Sequence, residues 1–183
     1  MAGTGSVVWL EGLPGSGKTT LARQLADALG AAHRPVEVLD GDEVRRGLSP
    51  EIGFSREDRD RHARRVGYVA NLLSRHGVTV IVALITPYES SRQAVRDLLG
   101  PRLLEVWLEC PVDVCRARDP KGLYRKAQEG KLQQMTGVDD PFEIPTRPEL
   151  VIHTGSRTVP QCLDLLREAL DRRDSSSLPQ GPG

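Results

Sequence analysis

The stretch "LEGLPGSGKTTLA" holds the residues best suited to chemistry in this chain. Gly12-Leu13-Pro14-Gly15-Ser16-Gly17-Lys18-Thr19 matches the spacing G-x-x-x-x-G-K-[ST]. Glycines at those places let successive backbone N–H groups turn toward one anion. A helix that begins where the loop ends adds the positive end of its dipole. Lys18 then reaches the β- and γ-phosphates of a nucleotide, and the Thr19 hydroxyl ligates Mg²⁺. Such a loop holds phosphates without deciding their fate. Hydrolysis, switching and transfer of the terminal phosphoryl group all start from it.

Further groupings along the chain bear on that choice. Asp40-Gly41-Asp42 supplies two carboxylates that can serve a metal ion or take a proton from an acceptor hydroxyl. An Asp-Gly turn with solvated charges has the same composition. In "GFSREDRDRHARR", Ser55 and Asp58 have the spacing of a capping-box variant opening a helix. Arg59, His62 and Arg65 then fall along one stripe, fit for an anionic acceptor or for plain solvation. "RDPKGLYRKAQEGK" carries Arg118, Lys121, Arg125, Lys126 and Lys131 around a glycine. A mobile lid that brings cations over the phosphates and expels water has this make-up, and so does an exposed helical hairpin. "TGVDDPFEIP" has turn chemistry and one aromatic, Phe142.

The elements that must position these groups alternate along the chain. Val7–Leu10 reads as a buried strand before the glycine loop. Leu21, Ala22, Leu25, Ala28 and Leu29 recur at helical spacing after it, with Gly30 as a stop. Pro35–Leu39 is a strand ending at Asp40, and Glu57–His76 an amphipathic helix with Val66, Val69, Ala70 and Leu73 on one face. Val78–Ile85 is a continuous apolar run, as expected of a central parallel strand. Ser91–Leu99, Val112–Arg118 and Pro160–Leu170 read as helices, Leu103–Leu108 and Glu149–Ile152 as strands. This alternation predicts an α/β domain with a parallel sheet, whose strand ends face a ligand crevice. A single domain over residues 1–173 is expected, with a disordered polar tail, "DSSSLPQGPG", at 174–183.

Composition narrows the class. The 183 residues include 25 basic and 25 acidic side chains, so a large basic nucleic-acid face is not expected. No apolar run approaches the roughly 20 residues of a membrane span. "MAGTGS" lacks the pattern of a secretory signal. Cys110, Cys115 and Cys162 are odd in number and poorly spaced for zinc, so reduced, packed thiols in a cytoplasmic protein are the expectation.

With these residues quoted, the chain resembles the adenylylsulfate kinase family. "GLPGSGKTT", "DGDEVRRGL", "GFSREDR", "ITPYESSR", "RDPKGLYRKAQEG" and "TGVDDPFEIP" stand in that family's order from about Val7 to about His153. The resemblance implies a P-loop kinase-like three-layer α/β fold with a five-stranded parallel sheet and a lid over about residues 118–135. It implies transfer of a phosphoryl group from MgATP to the 3′-hydroxyl of adenosine 5′-phosphosulfate (APS), and a possible homodimer. Carried onto this chain, Gly12 to Thr20 hold the ATP phosphates, with Arg118 above them. Thr19 and Asp42 serve Mg²⁺. Asp42, Lys18 and Lys121 are the catalytic groups. Asp40, Arg45, Phe54, Arg59, His62, Ile85, Thr86, Leu123 and Met135 form the acceptor pocket, with Phe54 stacked on the adenine.

The departures gather on the acceptor side. His62 stands where the family usually has Asn, Gln133 where Lys is common, Met135 where an aromatic is usual, and Glu89 where Arg usually follows "PY". Pro14 replaces a usual Ser in the phosphate loop. Two alternatives to APS phosphorylation therefore follow: the same chemistry on another hydroxyl-bearing metabolite, or a nucleotide-binding regulatory paralogue. Intact Lys18, Thr19 and Asp42 and the cationic lid argue against the last.

Overall fold

β1, Val7–Glu11, is buried along its whole length and forms the middle of the sheet. Apolar residues in consecutive positions are what a strand covered on both faces requires. The computed structural model describes residues 5–176. In it β2 (Val36–Asp40), β3 (Thr79–Ala83), β4 (Leu103–Glu109) and β5 (Leu150–His153) complete a five-stranded sheet in the order β2-β3-β1-β4-β5. All neighbours are parallel, with Val7 beside Val80 on one side and Leu103 on the other.

The alternation of β1 side chains sorts the helices into two layers. Val8 and Leu10 pack with Leu21, Leu25 and Leu29 of α1 (Lys18–Ala31) and with Leu166 and Leu170 of α7 (Val159–Ser176). Val7 and Trp9 point the other way, against Val66 and Ala70 of α3 (Arg56–Arg75) and Val95 and Leu99 of α4 (Glu89–Leu99). Each fully buried Leu or Val contributes roughly 1.5–3 kcal/mol. The three-layer α/β fold is as expected. Because every strand runs the same way, the segments following β1, β2, β3 and β5 converge on one rim, where the functional residues lie.

Most element boundaries fall within a residue or two of those expected. Two short helices were not anticipated. α2 (Gly41–Leu48) starts at the segment read as an Asp-Gly turn, because the Asp40 carboxylate accepts the Asp42 N–H at 3.1 Å and caps it. α6 (Leu123–Gln128) lies inside the lid segment, with Gly122 at its N-cap in a left-handed conformation. The expected tail needs correction. α7 continues to Ser176, and Asp174 accepts from Ser6 at 2.7 Å and pairs with Arg34 at 2.5 Å. The remainder of that tail, 177–183, lies outside the described residues.

The capping residue of α3 is the one expected. Ser55 Oγ accepts the Asp58 N–H at 3.2 Å, and Glu57 and Asp58 occupy the first turn, where negative charge favours the helix dipole. Ser55→Ala should therefore cost about 1 kcal/mol of stability. The check is a shifted urea midpoint at unchanged slope; an unshifted midpoint would mean that α3 is held by packing alone.

Candidate active site

The phosphate loop connects β1 to α1. Gly12, Gly15 and Gly17 have φ of 145°, 81° and 100°, values that side chains disfavour. A Cβ on Gly15 would lie 2.8 Å from the Cys115 carbonyl, so α5 (Val112–Arg118) permits only glycine there. Lys18 Nζ donates to the Gly12 and Leu13 carbonyls at 2.8 and 2.7 Å. Burial, helped by the Lys121 charge, pulls its ammonium down to about 8. Thr19 Oγ1 donates to Asp40 Oδ2 at 2.7 Å.

The loop opens into a cavity of about 650 Å³. Its walls hold Pro14 to Thr20, Asp40, Asp42, Arg45, Phe54, Arg59, His62, Ile85, Thr86, Arg118, Lys121 and Leu123. Most of the sequence-derived site residues thus line one space; Gly12, Leu13 and Met135 do not.

Asp42, exposed on the first turn of α2, forms an ion pair with Lys121 from the lid segment. Asp40 is turned the other way, toward Thr19. The family resemblance implied Thr19 and Asp42 as a metal set; here the side chain hydrogen-bonded to Thr19 is Asp40. The reason is that Asp40 ends β2 beside the phosphate loop, whereas Asp42 is already one step into α2. Among the described residues no group of three or more His, Cys, Asp or Glu is arranged to hold a metal ion. A hydroxyl and one carboxylate suit an ion that takes its other ligands from phosphate and water.

Phe54 projects half-exposed between two guanidinium groups, Arg45 at 4.5 Å and Arg59 at 5.6 Å from its ring centre. Arg45 donates to the Gly53 carbonyl at 2.8 Å. Arg59 is buried and donates to the carbonyls of Phe54 at 3.0 Å and Gln134 at 2.6 Å. The expected stripe of Arg59, His62 and Arg65 divides. Arg59 and His62 face the cavity, while Arg65 turns to Leu48 and Glu51.

His62 is buried, and its Nδ1 lies 2.9 Å from Ser49 Oγ while Nε2 has no protein partner. Burial, then the charges of Arg45 and Arg65, pushes its pKa down to about 4, so the ring is neutral.

Met135 is placed differently from the other acceptor-side candidates. It lies outside the cavity wall, packed with Leu13, Cys110, Cys115 and Tyr124 beneath the phosphate loop. The two thiols beside it are reduced and buried, as expected. Met135 therefore supports the loop from below rather than covering a base.

Several cavity residues were not anticipated. Thr154, Arg157, Val159 and Cys162 line it from the end of β5 and the start of α7. The signal was available: "HTGSR" follows a strand, and strand ends face the crevice. Arg118 links this side to the loop, donating to the Thr154 carbonyl at 2.7 Å. Tyr124 anchors α6 by donating to the Pro14 carbonyl at 3.0 Å.

A phosphate loop between β1 and α1, a second carboxylate-bearing helix start after β2 and a cationic segment above both define a P-loop kinase. The family model described as adenylylsulphate kinase matches residues 4–153. The chain belongs to that family. An adenylyl-sulfate kinase of Chloroflexus aurantiacus is 53% identical over 93% of this chain and 91% of its own length. One from Synechococcus sp. strain JA-3-3Ab is 50% identical over 93% and 96%. The solved Mycobacterium tuberculosis APS kinase CysC, in complex with AMPPNP and APS, is 35% identical with a TM-score of 0.89, covering 92% of this chain and 99% of that one. No helix among the described residues is long and apolar enough to cross a membrane.

The neutral buried imidazole has a consequence for stability. His62 has an ordinary value of 6.5 when unfolded and about 4 when folded. The unfolded chain then binds the extra proton first as pH falls, so stability is complete above 6.5 and declines from there toward 4. Relative to His62→Asn, the unaltered chain should lose about 2–3 kcal/mol over that interval. Parallel urea midpoints for the two proteins across the interval would contradict the neutral-imidazole assignment.

Proposed function

We propose that this chain transfers the γ-phosphoryl group of ATP to the 3′-hydroxyl of APS, giving 3′-phosphoadenosine 5′-phosphosulfate. The observation that carries the reading is the cavity's lining. One cavity is lined by the phosphate loop, by Phe54 flanked by Arg45 and Arg59, and by Asp42. A stackable ring beside two guanidinium groups suits a base attached to an anion.

In this reading the adenine of APS lies on Phe54, and Arg45 and Arg59 neutralise its phosphosulfate. The Asp42 carboxylate takes the proton of the 3′-hydroxyl as that oxygen attacks the γ-phosphorus. The bond from the γ-phosphorus to the bridging oxygen breaks, and ADP leaves with the electron pair. Lys18 follows the charge on the β- and γ-phosphates. Lys121 exchanges its contact with Asp42 for the transferring group, which both frees the carboxylate and stabilises the charge. Arg118 covers the nucleotide from above. Thr19 and Asp40 would hold Mg²⁺, which supplies charge neutralisation across the β- and γ-phosphates. The cytoplasmic location and the homodimer implied by the resemblance belong to the same reading.

The test is phosphoryl transfer from labelled ATP with and without APS. Formation of a 3′-phosphorylated product only when APS is present is the expected result. Asp42→Asn should lower turnover by about 10²–10⁴-fold while AMPPNP binding persists. Loss of nucleotide binding along with turnover would make Asp42 a metal-site residue instead.

The lid also belongs to this proposal. Residues 118–135 should close when both substrates are bound, since cations must reach the phosphates and water must leave. Tryptic cleavage between Arg118 and Lys131 should slow with ADP and APS together, more than with either alone. Cleavage indifferent to ligands would mean that the segment is already fixed.

A further inference from the structure

Thr86 stands in the acceptor wall with φ of 46°, a left-handed conformation that a β-branched residue adopts only under constraint. Two hydrogen bonds supply that constraint. Trp9 Nε1 donates to Thr86 Oγ1 at 2.9 Å from β1. Arg92 Nη1, on α4, donates to the Thr86 carbonyl at 2.8 Å.

Arg92 does more than hold one carbonyl. It is 1% exposed, does not line the cavity, and its planar fork joins three segments. Nη2 donates to the Glu143 carbonyl at 2.6 Å, and Nε to Glu89 at 2.9 Å. Glu143 closes the loop from its own side. Its N–H donates to the Pro87 carbonyl at 2.8 Å, and its carboxylate accepts the Glu89 N–H at 2.6 Å. The Phe142 ring centre is 5.8 Å from the Arg92 guanidinium. Two residues before Phe142, Asp140 accepts from the Tyr88 hydroxyl at 2.8 Å and sits 3.5 Å from Arg59. The segment that follows β3 and the "DDPFE" segment are thus bound to each other through one buried cation.

We infer that Arg92 is a positioning residue for the acceptor, fixing Ile85, Thr86 and Pro87 against Phe54 and Arg59 without touching substrate. This inference rests on the phosphotransfer reading and deepens it. It assigns the shape of the acceptor wall to a guanidinium on the outer helix layer. A lysine keeps the charge but cannot span two carbonyls and a carboxylate in one plane.

The test is Arg92→Lys, assayed with ATP and APS varied separately. KM for APS should rise about tenfold, the loss of one charge-assisted hydrogen bond, while KM for ATP changes less than about twofold. Trp9→Phe removes the other restraint on Thr86 without disturbing a buried charge. It should raise KM for APS in the same selective way, by about threefold, and it carries the test should Arg92→Lys fail to fold. Equal changes in both KM values, or a fall in kcat alone, in whichever variant is folded would overturn the positioning role while leaving the phosphotransfer reading intact. No APS turnover by the unaltered chain would overturn that reading, and this inference with it.

Discussion

The Lys18 ammonium is the interaction around which this site is arranged. A partly buried cation at the start of α1 cannot be left without partners. The chain meets that demand by folding the Gly12 and Leu13 carbonyls back onto it. This requires the positive φ at Gly12, Gly15 and Gly17. That backbone in turn requires a close floor, which Cys115, Tyr124 and Met135 provide. Cys115 and Tyr124 of that floor belong to α5 and α6, the same segment that carries Arg118 and Lys121 over the cavity. Phosphate loop and lid are therefore one packing unit, joined by the Tyr124 hydroxyl on the Pro14 carbonyl.

The charged groups of the site are paired with one another and with the backbone. Lys18 takes carbonyls, Thr19 takes Asp40, and Asp42 takes Lys121. In the proposed reaction each of these contacts is exchanged for phosphate, metal or acceptor. Such exchange keeps the folded chain free of unpaired buried charge. The Asp42–Lys121 pair is exposed and so contributes little to stability. It is easily given up, as the roles proposed for Asp42 and Lys121 require.

The parts of this architecture legible in the sequence were those with short-range signals. Val7–Leu10 and Val78–Ile85 showed buried strands by their unbroken apolar runs, and Ser55 marked a helix start through its own side chain. The six motifs identified the reaction class, which family membership supports. What was not legible depended on long-range geometry. Nothing local distinguishes Asp40 from Asp42 as the partner of Thr19, since both are carboxylates in one turn; the end of β2 decides it. Met135 was placed by its position in a motif, yet an apolar side chain goes where a cavity beneath the loop needs filling. α2 was missed because two glycines and a run of charges hide an eight-residue helix whose cap is also a site residue.

Glu89 shows how a departure in sequence becomes consistent in the fold. An acidic residue after "PY" looked like a loss of acceptor-side charge. In three dimensions it lies away from the cavity, bridging Arg92 at 2.9 Å and Arg96 at 2.7 Å. Arg96 also pairs with Glu105 at 2.6 Å, and Glu11 lies 3.9 Å from Arg92 with no exposed surface. Burial and the nearby Glu105 charge raise the Glu11 carboxyl well above its ordinary value, so it tends to keep its proton. The two guanidinium groups take Glu89 and Glu105 as their carboxyl hydrogen-bond partners. An arginine at position 89 would add a third cation and remove one of those two partners. The residue that looked like a weakened substrate contact instead balances the buried network that holds the acceptor wall in place.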